Sequence, residues 1–219
     1  MSSFKLERID QLSLRQYHYL DASDVCYCFG EYFPRDGYSK PMNGLIQNLK
    51  KPMERRGKPE WRYKADAINT ASRLLGSIGS AFSDSVTFIP TPSSKCRQDP
   101  NFDDRIEQVL IRSFGSRPNF DMRQIIIQQQ NRPPLHGGAR RDINALRAGL
   151  AFDEAMLTSP PRQSIVIFDD VITTGCTFKA MKSMLQDRFG KQIEVVGLFL
   201  ARTVHLDPDV GVFENLDDI

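Results

Sequence analysis

Long apolar runs are missing from this chain of 219 residues. None approaches the ~18 residues that a membrane-spanning helix needs, and the amino terminus lacks the apolar stretch of a secretory signal, so we expect a cytoplasmic protein without membrane insertion. A dominant charge is also missing, because 29 basic and 27 acidic residues leave a net charge of only +2. Charge alone therefore does not indicate nucleic-acid binding. Internal repeats and low-complexity tracts are absent as well.

Metal-ligating residues are scarce. Cys26 and Cys28 form one C-x-C pair inside an alternating, strand-like segment, and the three histidines are scattered at His18, His136 and His205. Zinc sites usually combine two closely spaced pairs of ligands. We therefore predict reduced, partly buried thiols and no metal held directly by the protein.

What the sequence has is an alternation of short apolar segments and amphipathic segments. Strand-like patterns occupy residues 24–33, 85–90, 122–128, 164–170 and 193–204, and helical spacing occupies residues 42–51, 61–82, 102–114, 143–148 and 176–190. Nearly continuous apolar strands between helices indicate an α/β fold with a parallel sheet covered on both faces. Such sheets bind ligands at the carboxyl ends of their strands.

One strand end carries unusual chemistry. The segment IVIFDDVITTG passes from four apolar residues to Asp169 and Asp170, and then to Thr173, Thr174, Gly175, Cys176 and Thr177. Free backbone N–H groups at a helix start, glycine and threonine hydroxyls suit a phosphate monoester. Paired carboxylates suit vicinal hydroxyls, or a hard cation through its waters. A phosphorylated sugar supplies both halves, whereas the plainer interpretation is a capped helix with solvent-facing aspartates.

This segment resembles the phosphoribosyl pyrophosphate (PRPP) motif of type I phosphoribosyltransferases. The resemblance implies that Asp169 and Asp170 are catalytic residues beside the ribose hydroxyls and that residues 173–177 hold the 5′-phosphate. It also implies Mg²⁺ bound mainly by PRPP, with contacts to the two aspartates through water. The implied fold is a three-layer α/β core at residues 85–205, with a small α+β hood at 1–84 and a tail at 206–219.

Two further segments agree with the resemblance in order and position. Ser93, Ser94 and Lys95 follow an early core strand, where the family has its pyrophosphate loop, although a Pro-rich connection would look similar. The family's mobile loop would fall on RPPLHGGARR, whose candidate pyrophosphate contacts are His136, Arg140 and Arg141. An ordinary solvated basic loop is the alternative there. The order of these segments over residues 88–203, including RRDIN before Phe152, is most similar to the ComF-like branch.

The resemblance implies transfer of a phosphoribosyl group to a nitrogenous acceptor, with release of pyrophosphate. Two other functions stay open: a PRPP-binding regulator without catalysis in a nucleic-acid-processing system, and a phosphoribohydrolase. For the first of these, the basic segment from Lys50 to Lys64, interleaved with Trp61 and Tyr63, is the candidate nucleic-acid surface, with a solvated face as the alternative. A homodimer is compatible with the sequence, and the acceptor cannot be read from it.

Overall fold

The structure is a computed structural model that describes residues 4–132 and 142–204. In these two ranges the strands are β1 (Glu7–Arg8), β2 (Val25–Cys28), β3 (Glu31–Tyr32), β4 (Thr87–Pro90), β5 (Asp121–Met122), β6 (Ile126–Gln128), β7 (Leu150–Phe152), β8 (Ser164–Ile172) and β9 (Glu194–Thr203). The helices are α1 (Gln11–Leu14), α2 (Pro41–Leu49), α3 (Arg62–Gly76), α4 (Ser80–Ser83), α5 (Arg105–Phe114), α6 (Ile143–Ala148) and α7 (Cys176–Phe189).

A mostly parallel sheet forms the centre of the molecule. Its strand order is β1-β2-β9-β8-β4-β5, and β3 pairs with β9 in line with β2. Neighbours are parallel throughout this sheet except for β1, which runs antiparallel to β2 at the edge. The predicted α/β class with a parallel sheet is thereby confirmed.

Helices cover both faces of the sheet, and the strand β8 shows why. Its apolar side chains alternate between two core clusters: Ile165 and Ile167 face the cluster that includes α7, and Val166 and Phe168 face the cluster under α2, α3 and α5. All four are at most 1% exposed. A strand that is buried on both faces needs an apolar residue at every position, which accounts for the unbroken apolar run in the sequence.

The amino-terminal segment contributes to the same sheet. β2 pairs in parallel with β9, from Val25 opposite Val196 to Cys28 opposite Phe199. The helix α3 packs against α5 across one of the two core clusters. Residues 4–84 therefore share the central sheet and its core, while the predicted tail at 206–219 lies outside the described residues.

The structure corrects three boundaries. The strand predicted over residues 164–170 extends two residues further, because β8 ends at Ile172. The helix predicted over residues 61–82 divides into α3 and α4. The strand predicted over residues 122–128 splits, because its first part pairs with β4 and its last part pairs antiparallel with β7 in a separate two-stranded sheet.

Candidate active site

A cleft of about 540 Å³ opens at the carboxyl ends of β4 and β8. Its walls come from residues 91–94 and 169–178, together with Lys50, Asp103, Arg105, Ile106, Arg132 and Phe199. The structure therefore brings together both aspartates, the threonine-rich loop and the two serines that the sequence singled out. This is the edge of the sheet at which parallel α/β proteins bind ligands.

The threonine-rich loop ends in the amino terminus of a long helix. Gly175 is the N-cap of the 14-residue helix α7, with a left-handed backbone at φ 79° and ψ −2°. The amide of Cys176 lies 3.4 Å from the hydroxyl oxygen of Thr174, and Gly175 accepts the first helical hydrogen bond from the Lys179 amide. The N–H groups of a first helical turn lack partners within the helix, and the helix dipole favours an anion there. The loop is therefore suited to a phosphate group.

The back of this loop is covered by chain from the amino-terminal segment. The Tyr19 amide donates to the carbonyl of Thr174 at 3.1 Å. The side chain of Leu20 packs so closely on Gly175 that a Cβ atom built there would lie 2.6 Å from a Leu20 methyl carbon. The loop therefore has glycine at this position for two reasons, its positive φ and the space that Leu20 occupies.

An ionic cluster around the buried Asp24 links the same amino-terminal segment to α7. Asp24 is fully buried and accepts from Lys179 at 2.6 Å and from Lys182 at 2.7 Å. Lys179 also binds Asp21 at 2.6 Å, and hydrogen bonding from Lys179 lowers the pKa of that carboxyl. Two lysines from successive turns of the helix thus hold the segment in place.

We predict that Gly175→Ala lowers the free energy of unfolding by about 2 kcal/mol or more, from a strained left-handed residue and an overlap with Leu20. The matched control is Gly57→Ala, because Gly57 also has a positive φ, 82°, but faces open space. That control should lose only the backbone contribution, about 1 kcal/mol. Urea denaturation of both variants measures the difference, and equal losses would contradict the prediction.

The two adjacent aspartates have different surroundings. Asp170 is 2% exposed, and its Oδ2 accepts from Arg105 Nε at 3.0 Å and Nη2 at 2.8 Å. Its Oδ1 lies 3.1 Å from the ammonium of Lys50. Asp169 is partly exposed in the cleft, accepts the Asp170 amide at 2.7 Å, and has no ion pair with any residue that the structure describes. Arg105 and Lys50 thus balance the charge of Asp170, whereas the carboxylate of Asp169 is available to a ligand of the cleft.

The partners of Asp170 belong to a longer ionic network. Arg105 Nη1 donates to Asp103 at 2.7 Å, and the same carboxylate oxygen accepts from Lys64 at 2.8 Å. Lys64 is 3% exposed and also donates to the carbonyls of Leu49 and Lys51 at 2.6 and 3.1 Å. This network ties the strand β8 to the start of α5 and to the amino-terminal segment.

These surroundings shift the pKa values of the two aspartates in opposite directions. Burial, and then the negative charge of Asp170, raise the pKa of Asp169. Burial also acts to raise the pKa of Asp170, but the charges of Lys50 and Arg105 outweigh it, so this pKa lies below its usual range. As the pH falls, Asp169 therefore takes up a proton before Asp170 does.

The predicted pyrophosphate segment is only partly in the cleft. Ser93 and Ser94 line it, and the preceding Thr91 amide donates to the carbonyl of Phe168, which fixes the loop against β8. Lys95 instead borders a neighbouring depression with other residues of the loop.

The first residue of the predicted mobile loop is anchored to this serine segment. The Arg132 amide donates to the carbonyl of Ser94 at 2.8 Å, and its guanidinium donates to the carbonyl of Pro92 at 3.2 Å. The predicted mobile-loop contacts themselves, His136, Arg140 and Arg141, lie outside the described residues.

The basic segment from Lys50 to Lys64 does not form one surface. Lys50 lines the cleft, and Lys64 is buried in the ionic network. The exposed remainder consists of Arg55, Arg56, Lys58, Arg62 and the partly exposed Lys51, with Trp61 and Tyr63 among them. Any nucleic-acid surface at this place would thus comprise fewer cations than the sequence suggests.

Three charged residues of the cleft were missed by sequence reasoning: Lys50, Asp103 and Arg105. The sequence pattern assigns Asp103 and Arg105 to an amphipathic helix and Lys50 to a basic segment, and charged residues are common in both. The one available signal was their position, since Asp103 and Arg105 stand at the start of a helix that follows a core strand.

The carboxylates of the cleft fit a cation that is carried in by its ligand. Within the described parts of the chain, no three histidine, cysteine, aspartate or glutamate side chains form a cluster suited to a metal ion. Among the described residues of the cleft, Asp169 is the one whose carboxylate has no ion pair, so Mg²⁺ would take most of its oxygen ligands from a bound phosphate compound. In the same two ranges, no helix is long and apolar enough to cross a membrane.

No protein-family model matches this sequence, and no curated protein is found to be similar to it. The cleft must therefore be interpreted from its own chemistry.

Proposed function

We propose that this protein is a type I phosphoribosyltransferase-like enzyme that binds PRPP with Mg²⁺ and transfers the phosphoribosyl group to a nitrogenous acceptor, releasing pyrophosphate. One observation carries the proposal. A single cleft is lined by the partly exposed Asp169, by a glycine-capped helix start and by a second set of donors at the end of β4. PRPP has the matching order of groups: a phosphate, a ribose diol and a pyrophosphate.

Each part of PRPP has a counterpart in the cleft. The hydroxyls and amides of residues 173–177 would bind the 5′-phosphate at the start of α7. Asp169 would accept hydrogen bonds from the ribose hydroxyls, because its carboxylate has no ion pair with any residue that the structure describes. Ser93 and Ser94 would bind the pyrophosphate from the other side of the ribose.

The reaction requires no covalent intermediate with the protein. A nitrogen lone pair of the acceptor attacks ribose C1 while the bond from C1 to the pyrophosphate oxygen breaks, and the acceptor loses a proton. Bound Mg²⁺ would neutralise part of the charge on the leaving pyrophosphate. The contribution of the chain is to hold the two reacting groups in line and to stabilise the developing charge. With water as the acceptor, the same arrangement would serve a phosphoribohydrolase.

Calorimetric titration with PRPP tests this proposal directly. We expect binding in the presence of Mg²⁺, and weaker binding when Mg²⁺ is replaced by EDTA. A screen of nucleobases for pyrophosphate release then identifies the acceptor, and free ribose 5-phosphate as the product would identify the hydrolase instead. If PRPP binds neither with nor without Mg²⁺, the proposed function is wrong.

A further inference from the structure

Lys50 is held at the edge of the cleft by its backbone and by Asp170. It directly follows α2, and its amide donates to the carbonyl of Ile46 at 2.9 Å. Its side chain is 40% exposed, and its ammonium lies 3.1 Å from Asp170 Oδ1. Because Lys50 contacts a buried carboxylate and also lines the cleft, its positive charge lies close to any ligand of the cleft.

Asp170 does not account for all of the donors of Lys50. Two N–H groups of Arg105 donate to the other carboxylate oxygen, Oδ2, so Asp170 does not depend on Lys50 as its only cation. An ammonium has three N–H donors. Asp170 is the one hydrogen-bonding or ionic partner of the Lys50 ammonium among the residues that the structure describes. Two donors of the ammonium are thus left for solvent or for a ligand of the cleft that Lys50 lines.

We propose that Lys50 binds the pyrophosphate half of the ligand, with Asp170 holding its ammonium in position. This inference rests on the proposed function, because it concerns the second anion of PRPP. It assigns to the amino-terminal segment a ligand contact that the PRPP motif does not include. It also assigns to Asp170 a positioning role for Lys50 and Arg105, distinct from that of Asp169.

The placement of Lys50 identifies which anion it meets. The threonine-rich loop leads into α7, which packs on the face of the sheet toward which Ile165 and Ile167 point. Asp170 instead contacts Arg105 of α5, a helix on the opposite face. The cleft therefore has donors that come from both faces of the sheet. PRPP likewise has one anion on each side of its ribose, so a 5′-phosphate at α7 leaves the pyrophosphate for the side of Lys50.

The next residue provides a matched control. Lys51 carries the same charge, but it does not line the cleft, and its ammonium lies 5.8 Å from the centre of the Tyr63 ring. Lys51→Met therefore changes the net charge as Lys50→Met does, one residue away. Any general effect of lost positive charge on anion binding should be the same in the two variants.

The test measures the two halves of PRPP separately, by calorimetry with Mg²⁺-pyrophosphate and with ribose 5-phosphate. We expect Lys50→Met to weaken pyrophosphate binding at least about tenfold, since a charge-assisted contact is lost. Its affinity for ribose 5-phosphate should stay within about twofold of wild type, because that ligand binds at the threonine-rich loop. Lys51→Met should leave both affinities unchanged, and Lys50→Arg should recover part of the pyrophosphate affinity.

Folding is controlled with thermal unfolding and with Lys50→Gln, which retains a donor for Asp170. Loss of pyrophosphate binding in a variant that unfolds at the wild-type temperature supports the inference. If Lys50→Met and Lys50→Gln bind pyrophosphate as tightly as Lys51→Met does, Lys50 is not a ligand residue, and the proposed function is unaffected. If the wild-type protein binds neither compound, the proposed function and this inference both fail.

Discussion

Asp169→Asn should weaken the binding of PRPP with Mg²⁺ on the order of 100-fold, because hydrogen bonds to a charged carboxylate are lost. The variant should nonetheless fold at least as well as wild type. Burial and the neighbouring Asp170 raise the pKa of Asp169, which means that its charge is unfavourable in the folded state. Calorimetry for binding and urea denaturation for stability measure the two effects. Unchanged PRPP affinity in a folded variant would remove Asp169 from the site.

The pH dependence of binding offers a second measurement on the same residue. Since the pKa of Asp169 is raised, its carboxylate forms at a higher pH than that of an ordinary aspartate. PRPP affinity of the wild-type protein should therefore increase as the pH rises through that raised value. The phosphates of the ligand titrate in a similar range, with a pKa of about 6. Asp169→Asn is the reference, because it retains the titration of the ligand and loses that of the protein.

Asp170→Asn should instead destabilise the fold and lower the free energy of unfolding by about 3 kcal/mol or more. Asparagine fits the same space but leaves the charge of Arg105, whose side chain is only 21% exposed, without its main partner. Because the pKa of Asp170 is lowered, its stabilisation should be present at neutral pH. It should be lost only in acid, as the pH falls through the lowered value.

An exposed ion pair provides the control for this second prediction. Asp187 pairs with Arg147 at 2.7 Å, and its side chain is 63% exposed. Asp187→Asn therefore makes the same chemical change in solvent and should cost at most about 1 kcal/mol. Urea denaturation at neutral pH compares the two. If Asp170→Asn is no more destabilising than Asp187→Asn, the buried network does not stabilise the fold.

Asp169→Asn and Asp170→Asn together distinguish the roles of two aspartates that the sequence motif treats as equivalent. The sequence placed both aspartates beside a sugar diol. In the structure both aspartates line the cleft, but Asp170 is paired with Arg105 and Lys50, and Asp169 has no ion pair with a described residue. Successive side chains of a strand point to opposite faces, so two adjacent carboxylates on β8 meet different neighbours.

Local sequence was sufficient to predict the elements whose conformation depends mainly on neighbouring residues. The apolar run of β8, the spacing of α6 and α7, and the glycine before Cys176 each follow from nearby residues. The threonine-rich loop could be placed for the same reason, since it lies between a strand and a helix that the sequence itself predicts.

Tertiary structure alone decided which distant residues meet at that loop. Lys50 and Arg105 both reach Asp170, although 120 and 65 residues separate them from it along the chain. The strand β7 is defined by pairing with β6, and Leu20 is the neighbour that leaves no space for a side chain at Gly175. Such contacts depend on how helices and strands pack across the sheet, which no local periodicity encodes. The sequence by itself determined the α/β class and the glycine-capped loop before α7, and packing decided which charges surround that loop.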